Sequence, residues 1–153
     1  MEDIKIRPGQ NLLTTTLSVA DTNKSLEFYT KVFGFFVHQQ VEHRNGKILF
    51  ARLTYNGYNI VLSEAGILGA EKTMLPPVIT GHNSPISLYI YCNNLEEKYE
   101  KFKSYGLTFL EDIKLQFWGD KIFRVVDING YIWDFAQMIQ SEVIEDLIPD
   151  ELK

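Results

Sequence analysis

One cysteine, three histidines and no apolar run of membrane-spanning length are what this 153-residue chain has least of, and each scarcity removes a class of protein. A lone Cys92 excludes an internal disulfide framework and fits a reducing compartment. Within a strand-like segment it reads as a small buried hydrophobe rather than a nucleophile. His38, His43 and His82 fall in strand, turn and connector contexts, with no His or Cys pair at zinc spacing. There is no Gly-rich phosphate loop and no Gly-x-Ser-x-Gly elbow. Cations are outnumbered, 15 Lys and Arg against 20 Asp and Glu, giving a net charge of −5. The pI of about 5.2 leaves no electrostatic footprint for nucleic acid or an anionic membrane. Met1-Glu2-Asp3-Ile4-Lys5 is acidic where a signal peptide would be basic, so the expected location is cytoplasmic, with no membrane segment.

What the chain has in quantity is rings and a repeat. Hydrophobic residues make up 45% of it, enough for the core of a single domain, and aromatic residues 13%, which points to ring-lined surfaces as well as packing. Asn56-Gly57-Tyr58, followed by a strand-like run to Glu64, returns as Asn129-Gly130-Tyr131 with a run to Gln137, an offset of 129 − 56 = 73. Each Asn-Gly pair tolerates positive φ and predicts a tight hairpin turn. The same offset carries Asp21, which opens one helical pattern, onto Asn94, which opens the next.

Taken in order, residues 1–10 form a polar lead-in, and Leu12 to Val19 reads as a strand with Thr14, Thr16 and Ser18 on one face. Asp21 caps a helix whose apolar stripe of Leu26, Tyr29 and Phe33 ends at Gly34. Strands follow at Phe35 to Glu42, Lys47 to Leu53 and Tyr58 to Ser63. A connector rich in Gly and Pro (Gly66, Gly69, Pro76, Pro77, Gly81, Pro85) is compatible with a lid or with a crossing linker. The second unit repeats the order. Ile86 to Cys92 is a strand with Ser87, Tyr89 and Tyr91 on one face. Asn94 and Glu97 form a capping box for a helix ending at Gly106, and strands follow at Thr108 to Leu115, Lys121 to Asp127 and Tyr131 to Gln137. Ser141 to Leu147 predicts a short acidic helix capped by Ser141. The expected organisation is one domain, 1–153, with module one at 10–64, a connector at 65–85, module two at 86–140 and a C-terminal helix or tail at 141–153. The class is α+β: two tandem β-α-β-β-β modules forming a curved mixed sheet around a cavity.

Ser25-Leu26-Glu27-Phe28-Tyr29 with Phe33-Gly34-Phe35, and Asp127-Ile128-Asn129-Gly130-Tyr131-Ile132-Trp133-Asp134-Phe135, resemble the signatures of the vicinal oxygen chelate superfamily. That group includes glyoxalase I, bleomycin-resistance, fosfomycin-resistance and extradiol dioxygenase families. The resemblance spans roughly residues 10–140 and implies a homodimer. It also implies, for metal-dependent members, a divalent site built from His or Glu of the first and last strand of each unit. The matching positions here are Thr14, Val61, Ser87 and Asp134, of which only Asp134 is a ligand for such an ion.

These residues lead to two expectations. One is a metal-free protein without cofactor, resembling the bleomycin-resistance kind, that sequesters a planar or amphipathic small molecule in a cup lined by Thr14, Thr16, Ser87, Tyr89, Phe117, Trp118 and Arg124. The alternative is a glyoxalase-type lyase or isomerase with Asp134 as base or metal ligand. Asp134 reads either as a buried carboxylate that binds a cationic or hydroxylated ligand or acts as a base, or, the favoured reading, as the partner of Arg124 in a structural ion pair. Arg52 and Arg124 read either as anion-holding groups or as solvated strand-edge side chains. Phe117 and Trp118 either face a pocket or fold onto the sheet.

Overall fold

The computed structural model describes residues 2–67 and 73–153. Met1 and 68–72, which include the connector's Gly69, lie outside the described residues. Two compact units divide the chain at His82 and Asn83. Each holds its own four-stranded mixed sheet, one helix lying in sequence between its first and second strands, as the repeat predicts. Among the described residues no helix is long and apolar enough to cross a membrane.

In the first unit β1 (Thr15–Val19), α1 (Thr22–Lys31), β2 (Phe36–Glu42), β3 (Ile48–Tyr55) and β4 (Tyr58–Glu64) give the sheet order β1-β4-β3-β2, with β1 parallel to β4. The helix starts where Asp21 accepts the Lys24 amide at 3.0 Å, meeting one of the free N–H groups of the first turn. Alternation decides which face is buried. Leu17, Val19, Ala51, Leu53 and Leu62, at 0–1% exposure, pack on the α1 side with Tyr29 and Phe33, both fully buried. The intervening residues Thr16, Ser18, Phe50, Arg52, Val61 and Ser63 fall on the opposite, open face. The lead-in is less loose than its composition predicts, because Asn59 on β4 donates to Gly9 O at 2.7 Å and its amide donates to Asn11 Oδ1 at 2.6 Å. A single turn, α2 (Pro77–Thr80), closes the connector.

The second unit repeats this with β5 (Ser87–Tyr91), α3 (Leu95–Ser104), β6 (Thr108–Leu115), β7 (Asp120–Val126) and β8 (Ile132–Met138), in the order β5-β8-β7-β6. Its core is aromatic: Phe123 stacks on Phe135 at 5.5 Å, and Phe102 of α3 meets both edge-on. α3 ends in a Schellman arrangement, with Leu107 N–H to Phe102 O at 3.2 Å, Gly106 N–H to Lys103 O at 2.9 Å, and Gly106 at φ +72°. Its start differs from the expectation. Asn94 sits in the left-handed region at φ 55° and makes no side-chain cap, so there is no capping box.

The two Asn-Gly turns also differ. Tyr55 pairs directly with Tyr58, so Asn56 and Gly57, both at positive φ, are a two-residue turn. In the second unit Asp127 N–H donates to Tyr131 O, and Ile128-Asn129-Gly130 make a three-residue loop in which, of these, only Gly130 has positive φ. The buried Asp127 carboxylate holds that loop by accepting from the Asn129 and Tyr131 amides and from the Trp133 indole, at 2.8, 3.0 and 2.8 Å. The acidic residue of the D-x-x-G signature is thus the loop's scaffold.

The expected helix at 141–147 is replaced by two 3-10 turns, Glu145–Leu147 and Asp150–Leu152, and Ser141 caps neither. The segment is instead tied to the β6–β7 hairpin by backbone hydrogen bonds, two of them from residues just before it. Ile139 and Gln140 donate to Gly119 O, and Ile144 donates to Phe117 O at 2.7 Å.

Candidate functional site

A helix covers one face of each sheet, so the chemistry available for a ligand is that of the other face. In the first unit this face holds a cavity of about 250 Å³, lined by Thr16, Ser18, Phe50, Val61, Ser63, Glu64, Ile67 and Met74. β1 and β4 bring the hydroxyls together, since Thr16 pairs with Val61 and Ser18 with Ser63. The connector contributes a wall: Ser18 Oγ donates to Met74 O at 2.6 Å, fixing residues just beyond the undescribed stretch against β1. Glu64, the one charged residue among the described lining residues, is engaged by Lys47 at 2.5 Å and by the Thr22 amide at 3.5 Å, and Arg52 stands on the same face opposite Val61 without itself lining the cavity.

The open face of the second unit is polar and self-satisfied. Arg124 on β7 stands opposite Asp134 on β8, with Nε to Oδ1 at 2.7 Å and Nη2 to Oδ2 at 3.4 Å. Asp134 is 2% exposed and the Arg124 side chain 37%, with Glu111 a further 3.7 Å from the guanidinium. Hydrogen bonding to Asp134 outweighs desolvation and holds the Arg124 pKa above its usual value. Beside this pair, Asp120 accepts from Tyr89 at 2.6 Å and Tyr91 at 2.8 Å, and the Trp118 indole donates to Tyr89 Oη at 3.1 Å. Burial, then the Asp120 hydrogen bond, pushes the Tyr89 phenol well above its ordinary range; for Tyr91 the Asp120 bond is the leading cause. Trp118 stays 38% exposed with Phe117 edge-on at 5.0 Å, so the hairpin offers a ring held in place and open on one side.

The expected site residues therefore divide between two faces. Thr16 lines the cavity of the first unit. Thr14 precedes β1, and its hydroxyl donates to Asn11 O at 3.3 Å. Ser87 opens β5, exposed, on the face of Tyr89. Tyr89 and Trp118 are brought together, as are Arg124 and Asp134. Register refines the matching positions: the residues directly opposite Val61 and Asp134 are Thr16 and Tyr89, with Thr14 and Ser87 one step further along the same faces. Sequence reasoning passed over Asp120, Phe50 and Ser63. Phe50 and Ser63 were within reach of period-two alternation from Arg52 and Val61, whereas nothing in the pattern marks Asp120 as the acceptor for two tyrosines. Among the described residues no three His, Cys, Asp or Glu side chains cluster in a way that could hold a metal ion.

Comparison with known proteins agrees with this architecture. Residues 11–135 match the model of the Glyoxalase/Bleomycin resistance protein/Dioxygenase superfamily. A bleomycin resistance protein of Geobacillus stearothermophilus is 33% identical over 131 residues, covering 82% of this chain and 95% of that protein. An uncharacterized protein of Mycobacterium bovis is 24% identical over 145 residues, 94% of this chain and 92% of that one. Among solved structures, an antibiotic binding protein from Streptomyces sp. CB03234 superposes with a TM-score of 0.66 at 16% identity, over 90% of this chain and 99% of that one. TioX from Micromonospora sp. ML1 gives 0.67 at 17%, over 84% and 98%. The chain belongs to the Glyoxalase/Bleomycin resistance protein/Dioxygenase superfamily.

Proposed function

We propose that this protein binds a planar or amphipathic small molecule and holds it without a metal ion and without transforming it. The observation that carries this reading is the state of Asp134. Of the positions that a metal-dependent relative would fill with imidazoles and carboxylates, it alone has a strong ligand, and both of its oxygens face Arg124. The others offer a valine and neutral hydroxyls, which compete poorly with water for a divalent cation. Both carboxylate oxygens are already hydrogen-bonded to Arg124 rather than open to a substrate proton, which counts against the lyase or isomerase alternative.

What remains is suited to retention: hydroxyls and apolar walls around a cavity in one unit, an exposed ring held by Tyr89 in the other. Bleomycin-resistance and antibiotic-binding relatives make an aromatic, antibiotic-like ligand the first class to try. The test is intrinsic fluorescence and thermal shift against planar aromatic and antibiotic-like compounds. A saturable change in Trp118 emission, lost in Trp118→Ala, is expected, and silence across the whole panel would sink the reading. The reading also carries a homodimer. The edge strand β2 leaves Phe36, Val37 and Val41 at 73, 45 and 49% exposure, and sedimentation should give twice the chain mass.

A further inference from the structure

Arg52 and Arg124 occupy the same place in the repeated architecture. Val61 and Asp134 differ by 73 positions, and β3 and β7 set Arg52 opposite the first and Arg124 opposite the second. What differs is the partner. Arg124 has a carboxylate on each side of the ladder, Asp134 and Glu111; Arg52 has Val61 and Gln39, neither of them charged. Arg52 is nevertheless 6% exposed, its Nε is buried with no hydrogen-bond partner, and it forms no ion pair among the described residues. A guanidinium does not neutralise itself by losing a proton, so a buried one without a counter-charge is costly. Glu64, the one carboxylate on β1, β3 and β4, is held by Lys47 and the Thr22 amide. Around Arg52 on the same face stand Phe50 and Val61, which are apolar, Thr16 and Ser63, which are hydroxylic, and the neutral amide of Gln39 on β2; the first four line the cavity, and Arg52 is set among them by the register without itself lining it.

We propose that Arg52 anchors an oxyanion on an apolar, ring-bearing ligand, the ligand's carboxylate or phosphonate taking against Arg52 the place that Asp134 takes against Arg124. Nε and one Nη would form the same side-on fork seen in the second unit. This rests on the small-molecule reading above and names the chemistry of its ligand.

The test has two arms. In the first, thermal shift is measured for wild type and Arg52→Met with sodium benzoate, sodium phenylphosphonate and neutral benzamide. The acids should stabilise wild type more than benzamide does, and Arg52→Met should weaken their binding tenfold or more while leaving benzamide unchanged. Benzoate and phenylphosphonate separate the two oxyanions, and preference for either supports the site. Benzamide matching both acids, or acid binding that survives Arg52→Met, would overturn it. Silence from both acids also overturns it, and if benzamide is silent too, the small-molecule reading loses ground independently. The second arm needs no ligand: Val61→Asp supplies the missing carboxylate in cis. Its cost to the unfolding equilibrium should be at least tenfold smaller with Arg52 present than in Arg52→Met, and equal costs in the two backgrounds would contradict the assignment.

Discussion

Replacing Arg124 by Met should destabilise the second unit more than replacing its partner, although the two substitutions break the same ion pair. The asymmetry comes from burial: Asp134 is 2% exposed whereas the Arg124 side chain is 37% exposed. Arg124→Met strands a carboxylate in the interior, for which breaking a fully buried pair costs about 3–5 kcal/mol. Water reaching the arginine's side of the pair reduces this to about 2 kcal/mol. Asp134→Val, which copies Val61 of the first unit, leaves a guanidinium that still has solvent and Glu111 at 3.7 Å, and should cost under about 1 kcal/mol. The double variant should then be more stable than Arg124→Met alone. Urea unfolding at constant m, with thermal melts in support, reads these differences, and about 2 kcal/mol corresponds to a melting point lower by about 4–8 °C. Arg124→Met as stable as wild type, or Asp134→Val the more damaging of the two, would refute the picture of a carboxylate committed to its arginine.

Other outcomes follow from the same geometry. Gly119→Ala should be severely destabilising, because a Cβ there would lie 2.1 Å from Gln140 O and φ is +94°; loss of the folded baseline in circular dichroism is the readout. Cys92 is buried, with its thiol pushed up to about 11 by desolvation, so its modification by a thiol reagent at pH 8 should be slow until denaturant is added. The folded-state pKa values of Tyr89 and Tyr91 lie above their unfolded values. Their contribution is therefore complete below the ordinary phenol value of about 10 and is lost as pH rises through the raised folded values. Alkaline titration followed by tyrosinate absorbance should show a late-ionising fraction, and Asp120→Asn should move it earlier.

How far the sequence predicts these features depends on whether a feature is set locally. The helix stripes, the Asp21 cap and the succession of elements along the chain follow from residue spacing and are found in the fold, because each is set by residues close in sequence. The 73-residue offset aligns β1 with β5 and β4 with β8, but it carries Arg124 onto position 51, one residue away from Arg52. The cause is a turn: two residues lie inside the Tyr55–Tyr58 pair and three inside the Asp127–Tyr131 pair, so the offset is 124 − 52 = 72 on one side of each turn and 73 on the other. Asn-Gly in both copies concealed this, since Asp127 accepting amides from Asn129 and Tyr131 selects the longer loop. Asn94 looked like a capping residue and has the right neighbour in Glu97, yet its left-handed φ directs the side chain elsewhere. The C-terminal segment is instead tied to the β6–β7 hairpin, with Ile144 donating to Phe117 and the preceding Ile139 and Gln140 to Gly119, contacts that spacing within the segment does not reveal. Asp120 was invisible because its role exists only once Tyr89 and Tyr91 arrive from β5.

The claim on which the functional reading stands is that Asp134 belongs to Arg124 and not to a metal ion. It is tested most directly by measuring the metal content of protein purified without chelator and then equilibrated with zinc, nickel, manganese and ferrous iron in turn. Substoichiometric metal in every case, with no change in melting temperature, is the expected result. One tightly held ion per chain, lost together with stability in Asp134→Asn, would contradict it.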